Sequence, residues 1–542
     1  MALVTSPTHR RGSGGRGLLR PRARAAALAG LLLLGIVAPA QAIESTVSVN
    51  NKRTGWDSNE PNLSPSKVSS SSFGRRWSTP VNGSVLAQPL VTGKNVVVAT
   101  ENNYVYGIDA VTGTTNWTRQ LGPAWPTSSV GCADPAAQTG ITSTPVYDSS
   151  SNTVYLTSKV NDGPDVQHPS WYFHAVSAST GAERSGWPVK IKGTPSNSSS
   201  HPFNSFTAAQ RPGLLLLNGS VYAGFASYCD KGPFVGQVAG VNVSTRSLTL
   251  WSTEAGSDTQ EAGIWQSGGG LVSDGSGRIF FATGNGAGTG SSPGVGPGNK
   301  PLGHFGESVV RLGVNSNGTL SARDFFSPTN NRTMDSGDID LGSGGPVALP
   351  DGFGSPAHPH LLVEVGKDGR VFLLDRDNLG GMGQGPNGTD KPVSMAGPFE
   401  GVWGHPAVWG GGGGYVYTVG SSGNTHVPLR ALKFGVDSAG VPRLTSVGVS
   451  NEGFGYASGS PAVTSNGTAG GSALVWVVWS GSGAGGVGGQ LRVYDAVPVN
   501  GTMHLRRSFS IGTASKFVVP ATDGGRVYVG TRDGHLVAFG TA

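Results

Sequence analysis

Short β-branched and aromatic runs, punctuated by glycine, asparagine and aspartate, recur along this chain, and candidate helices are few. The stretch from Val96 to Trp117, VVVATENNYVYGIDAVTGTTNW, is the clearest. Val96 to Thr100 reads as a buried strand, Glu101-Asn102-Asn103 as a polar turn, and Tyr104 to Ile108 alternates like a second strand. Asp109 to Gly113 predicts a tight reversal, because Asp109 can bond back to nearby amides and Gly113 can take a positive φ. A last strand then runs out to Trp117.

Weaker copies follow. A proline or glycine just inside a short strand opens each unit, at Pro89, Pro145, Pro212, Gly270, Pro346, Pro406, Pro461 and Pro520, so the units number eight at spacings of 55 to 76 residues. Such spacing suits four-stranded blades with loop insertions. The last unit ends one strand short, whereas an orphan strand, Arg75 to Val81, precedes the first. A ring closes its last blade with a strand from the other terminus and so leaves no open edge. The expectation is an all-β, eight-bladed β-propeller of four-stranded antiparallel blades over residues 74–542, closed by that N-terminal strand, with 43–73 as an irregular leader.

The first 42 residues read as a secretion signal: a basic region from Arg10 to Arg24, an apolar run from Ala25 to Ala40, and a small-x-small site at Ala40-Gln41-Ala42. A membrane anchor is the rival reading, against which the run is short for a span. The segment holds six of the 38 basic residues and none of the 32 acidic ones, so the remainder is balanced and carries no basic patch for nucleic acid. The expected location is secreted or extracytoplasmic, in the periplasm, the cell wall or outside the cell, as a monomer without a membrane span. The two cysteines, Cys132 and Cys229, offer one disulfide, with free thiols as the alternative, but no haem attachment and no four-cysteine zinc site. Sequons at Asn82, Asn116, Asn218, Asn242, Asn317, Asn387, Asn466 and Asn500 would be glycosylated only in a eukaryote.

The segment Val105-Tyr106-Gly107-Ile108-Asp109-Ala110-Val111-Thr112-Gly113 through Trp117 resembles the tryptophan-docking motif of quinoprotein-type, PQQ-like β-propeller repeats, in which the Trp of one blade packs on its neighbour. GITSTPVYD, RPGLLLLNG, GIWQSGGG, LGSGGP and GKDGRVFLLDRDN look like an exported subgroup distantly similar to PQQ-dependent alcohol dehydrogenases. That resemblance implies PQQ over the propeller axis between a Trp and a vicinal disulfide, with Ca²⁺ held by a Glu, an Asn and an Asp, and an Asp as base. On this chain it marks Trp265 and Asn285, with Asp338 as base or metal ligand beside Asn285. The departures are the stacking Trp, absent from Leu271-Val272-Ser273-Asp274, the non-adjacent cysteines, and the lack of a matching Glu or a haem.

Loop topology selects one face, since connections entering the first strand of a blade and those between its second and third strands emerge together. Candidate ligand-binding residues there are Trp265, Gln266, Asn285, Asp340, Lys367, Trp403, His405 and Lys516. Asp338 and Asp340 flank one Ile on what reads as an extended segment and could share a cation such as Ca²⁺; bonding to backbone amides is the alternative. Trp265 and Trp403 serve either blade packing or ligand stacking. His405 alone suits proton transfer near neutrality, with a structural role before the strand proline as the preferred alternative. Two functions follow: a non-catalytic exported binding or scaffolding propeller for a glycan, peptide or protein, and a quinoprotein-like alcohol or sugar oxidoreductase with an altered PQQ and Ca²⁺ site.

Overall fold

A computed structural model describes residues 45–542, except 133, 276, 287–293, 422–426, 482 and 484. The secretion signal expected over the first 42 residues lies outside this range. Eight antiparallel sheets are arranged as the blades of a propeller. Blade 1 is built from Leu90–Thr92, Asn95–Ala99, Tyr104–Asp109 and Thr115–Gln120 in sequence order. Its inner strands are wholly buried and its outermost strand is mostly exposed, which is why the hydrophobic pattern changes from continuous to sparse within one unit. Closure of the ring is direct: Phe73–Pro80 pairs antiparallel with His535–Thr541 and supplies the outer strand of the blade whose inner strands are Ala521–Asp523 and Arg526–Gly530.

Tryptophan docking accounts for the repeated motif. The indole of Trp117 lies over Gly107, its cross-strand partner, and donates from Nε1 to the carbonyl of Ala178 in blade 2 at 3.1 Å. Gly181 of that second blade has φ +69°, and a Cβ there would stand 2.5 Å from the Trp117 ring. Trp77 on the closing strand repeats the device, donating to Val111 O at 3.1 Å with its ring against Gly113. The strand that completes blade 8 thus also docks blade 8 on blade 1.

Not every blade has four strands. Among the described residues of blade 4, Arg278–Ala282, Val309–Val314 and Leu320–Phe326 form the sheet, and the inner position is a bridge between Val272 and Phe280. Its glycine-rich entry turns sideways, Gly213 N donating to Gly269 O at 2.9 Å, so blade 3 takes the hydrogen bonds that a full inner strand would make.

The leader is more ordered than the sequence suggests. It contains Trp56–Asp57, which adds in parallel to Ala462–Thr464, and the short helix Pro65–Ser69. Residues 45–57 lie across one end of the channel and bond to every blade. Ser48 N reaches Gln88 Oε1, and Thr46 Oγ1 reaches Leu214 O. The carbonyls of Ser45, Asn51, Lys52, Thr54 and Gly55 accept from Tyr147, Ser273, Ala348, Val408 and Val463, and Asp57 Oδ2 accepts from Thr522. Arg53 has no solvent exposure, and its guanidinium donates to the carbonyls of Leu271 at 2.7 Å, Leu214 at 2.9 Å and Val47 at 3.2 Å. These contacts fall along the inner strands and beside them, so residues 45–57 plug the channel those strands line.

Candidate functional site

The opposite end, where the chain enters the inner strands, opens into a cavity of about 230 Å³. Blade entries supply Arg211, Trp265, Trp403, Tyr456 and Phe517, and the loops between second and third strands supply Asp230 and Lys367. One wall is a chain of rings: Trp403 meets Tyr456 edge to face at 6.0 Å, and Tyr456 meets Phe517 at 5.7 Å. Phe517 is held at φ +60°, a left-handed conformation costly for a bulky residue, which fixes its ring in the wall.

Of the residues expected from sequence, Trp265, Asp338, Asp340, Lys367 and Trp403 come together in this cavity. Asp338 does not lie in an extended segment. The helix Asn331–Gly337 precedes it, and Asp338 caps that helix at φ +52°. Both carboxylates nevertheless converge, on an ammonium: Lys367 Nζ stands 2.8 Å from Asp338 Oδ1 and 2.6 Å from Asp340 Oδ2. Burial pulls the Lys367 amine down, but Asp340 and Asp338 more than offset it, so it stays charged above its usual range. Asn285 braces the pair, its Nδ2 donating to Asp338 Oδ1 at 3.1 Å and its backbone N to Asp340 Oδ1 at 3.0 Å. Behind them Glu307 is fully buried and pushed well up, first by burial and then by Asp340.

Other expected residues are built into packing. Gln266 is buried and spans Gly270 O at 2.7 Å and Ala282 N at 2.9 Å. His405 is buried and its Nε2 donates to Pro346 O at 3.2 Å; burial pulls its imidazole down to about 3, so the ring stays neutral near pH 7 and does not titrate there. Lys516 pairs with Asp134 Oδ1 at 2.6 Å beneath the rings. Cys132 and Cys229 form a disulfide with Cα atoms 6.0 Å apart, joining the entry to blade 2 with the loop of blade 3 that carries Asp230. Lys159 supports this wall from behind, its ammonium 3.7 Å from the Trp125 ring centroid and 4.4 Å from that of Tyr228.

Sequence reasoning missed Asp230, Arg211, Tyr456 and Phe517. The same loop rule reaches all four, since Arg211 precedes Pro212, Tyr456 precedes the Gly-Ser-Pro of blade 7, Phe517 follows Lys516, and Asp230 follows Cys229. Asp230 makes no hydrogen bond among the described residues, and burial, then Asp340 and Asp338, push its carboxyl up to about 6.

These features define an eight-bladed β-propeller with an axial mouth. A family model described as the outer membrane protein assembly factor BamB matches residues 69–274. Among solved structures, the quinohemoprotein alcohol dehydrogenase of Comamonas testosteroni is similar at TM-score 0.61 and 16% identity, over 92% of this chain and 81% of that one. A europium-containing methanol dehydrogenase is similar at TM-score 0.57 and 15% identity, over 93% and 98%. None of the curated proteins matches the chain.

The residues present do not fit the PQQ and Ca²⁺ that the sequence resemblance implies. Calcium takes six to eight oxygen ligands, whereas the convergent carboxylates here are engaged by Lys367, and among the described residues no group of three His, Cys, Asp or Glu side chains is placed to hold a metal. The carboxylates of the cavity wall are already engaged, Asp134 by Lys516 and Asp338 and Asp340 by Lys367, with Asp230 and Arg211 beside them. The inner strand where a stacking Trp would stand presents Leu271 and Val272, packed in the core.

Proposed function

We propose that this is an exported, non-catalytic binding propeller that captures its ligand at the axial mouth. The observation that carries this reading is the convergence of Trp265, Trp403, Tyr456 and Phe517 on one cavity whose channel is plugged by residues 45–57. Aromatic faces beside a few fixed polar groups are the composition of a ligand site. Its strongest ion pairs, Lys367 with Asp338 and Asp340, are satisfied internally, which suits a mouth that holds its ligand. The disulfide suits an oxidising compartment, and residues 1–42 supply the export signal. The protein acts as a monomer.

The test is spectroscopic. Purified protein incubated with PQQ and Ca²⁺, then gel-filtered, is expected to retain no quinone absorbance and to reduce no dye with ethanol or glucose. Stoichiometric PQQ with dye reduction would establish the oxidoreductase reading instead.

A further inference from the structure

A second cavity, of about 460 Å³, opens on the same face over blade 3, lined by that blade and the connections into and out of it. Ala226 belongs to the walls of both cavities. Phe234 of the outer one meets Trp265 of the inner one edge to face, with ring centroids 6.3 Å apart. The two cavities therefore adjoin on this face as a two-part cleft, with Ala226 and the Phe234–Trp265 contact between its parts.

The chemistry of the outer part differs from that of the mouth. Its polar groups are mostly neutral: the hydroxyls of Ser200, Thr207 and Ser257 and the amide of Gln260 make no hydrogen bond among the described residues. Each can both donate and accept. Pro202 and Pro233 stiffen the rim beside Phe234. In the mouth, the cations and carboxylates are largely matched with one another, Lys367 with Asp338 and Asp340, and Lys516 with Asp134, so a charged ligand would have to break pairs already made. A neutral ligand that stacks an apolar face on rings and offers many hydroxyls meets both parts without that cost.

We infer that the cleft binds a neutral oligosaccharide, one sugar unit lying in the mouth against Trp265 and Trp403 and the following units along Phe234 and Gln260. This rests on the mouth being the binding site. Carboxylate oxygens at the mouth accept sugar hydroxyls, and the free amide and hydroxyls of the outer groove read the extended chain.

Calorimetric titration with maltohexaose, cellohexaose and laminarihexaose, and with their disaccharides, after screening on an array of neutral glycans, tests the inference. At least one hexasaccharide is expected to bind tenfold or more tightly than its disaccharide. Phe234→Ala and Gln260→Ala should each bring the hexasaccharide towards the disaccharide value while leaving the disaccharide within twofold, and Trp265→Ala should weaken both at least tenfold. Thermal melting of each variant verifies folding, and Gln260→Ala, at a partly exposed side chain, preserves the test if an aromatic variant misfolds. Equal affinity for long and short chains, or equal loss of both in Phe234→Ala, overturns the outer subsite and leaves the mouth reading intact. Binding of tetramethylammonium or citrate that depends on Trp265, with no glycan bound, overturns the sugar but not the mouth. No binding of any of these probes overturns both.

Discussion

The indole of Trp117 stacks on Gly107, bonds Ala178 and leans on Gly181, so one side chain fixes the distance between two blades. Truncating it removes ring packing and leaves a cavity between sheets, and Trp117→Ala should lower stability in chemical denaturation by about 3 kcal/mol or more. Such a residue is legible in sequence because glycine and tryptophan recur at fixed offsets for a steric reason. Titration is another residue-scale property. Glu60 is buried and pushed up to about 8, first by burial and then by Asp57; Asp57 and Asp523 are pushed up to about 6 by burial. A raised carboxyl keeps its proton in the folded state, so its stabilising effect is full below the ordinary carboxyl range and is lost as pH rises through the folded value. The melting temperature should therefore fall between pH 5 and pH 9, reflecting a loss on the order of a few kcal/mol, and Glu60→Gln should flatten that fall. His405 acts in the opposite sense: its pKa is depressed to about 3, so its contribution is lost as pH falls below the imidazole range.

At the scale of elements, the leader is what sequence reasoning underestimated. Residues 45–57 contain only one short strand and no periodic pattern, because their hydrogen bonds go to eight different blades rather than along one sheet. Local propensity has no signal for such a segment. Arg53 shows the consequence, as a buried cation that donates to backbone carbonyls and to the Thr46 hydroxyl. Arg53→Met keeps much of the volume but strands those carbonyls, and should cost about 3 kcal/mol in denaturant melts. The disulfide is a second cross-blade element. Replacing both Cys132 and Cys229 by Ala should cost about 2–4 kcal/mol, with the loop that carries Asp230 loosened first. Asp338 was misplaced in sequence for a local reason: the polar run NRTMDSG forms a short helix through Gly337, and the chain reverses at Asp338 rather than running straight through Ile339.

For the whole molecule, the count of blades and the closing strand were readable because each blade repeats one steric problem, burying two inner strands and ending in an exposed outer one. Trp265, Asp338, Asp340, Lys367 and Trp403 were reachable through the rule that blade entries share a face. Their meaning was not, since only the fold brings Lys367 between the two carboxylates where an extended reading of Asp338 and Asp340 suggested a metal. Gln266 and His405 sit in the same loops, yet their side chains turn into the core. The resulting ring has a plugged channel and one aromatic mouth adjoining an outer groove. Hydrogen-exchange mass spectrometry, with and without the tightest-binding hexasaccharide, tests that layout most directly. Protection is predicted in peptides covering 226–234, 257–267 and 400–404, with no change over 45–57; protection confined to the plug, or absent from the mouth while the sugar is bound, would contradict it.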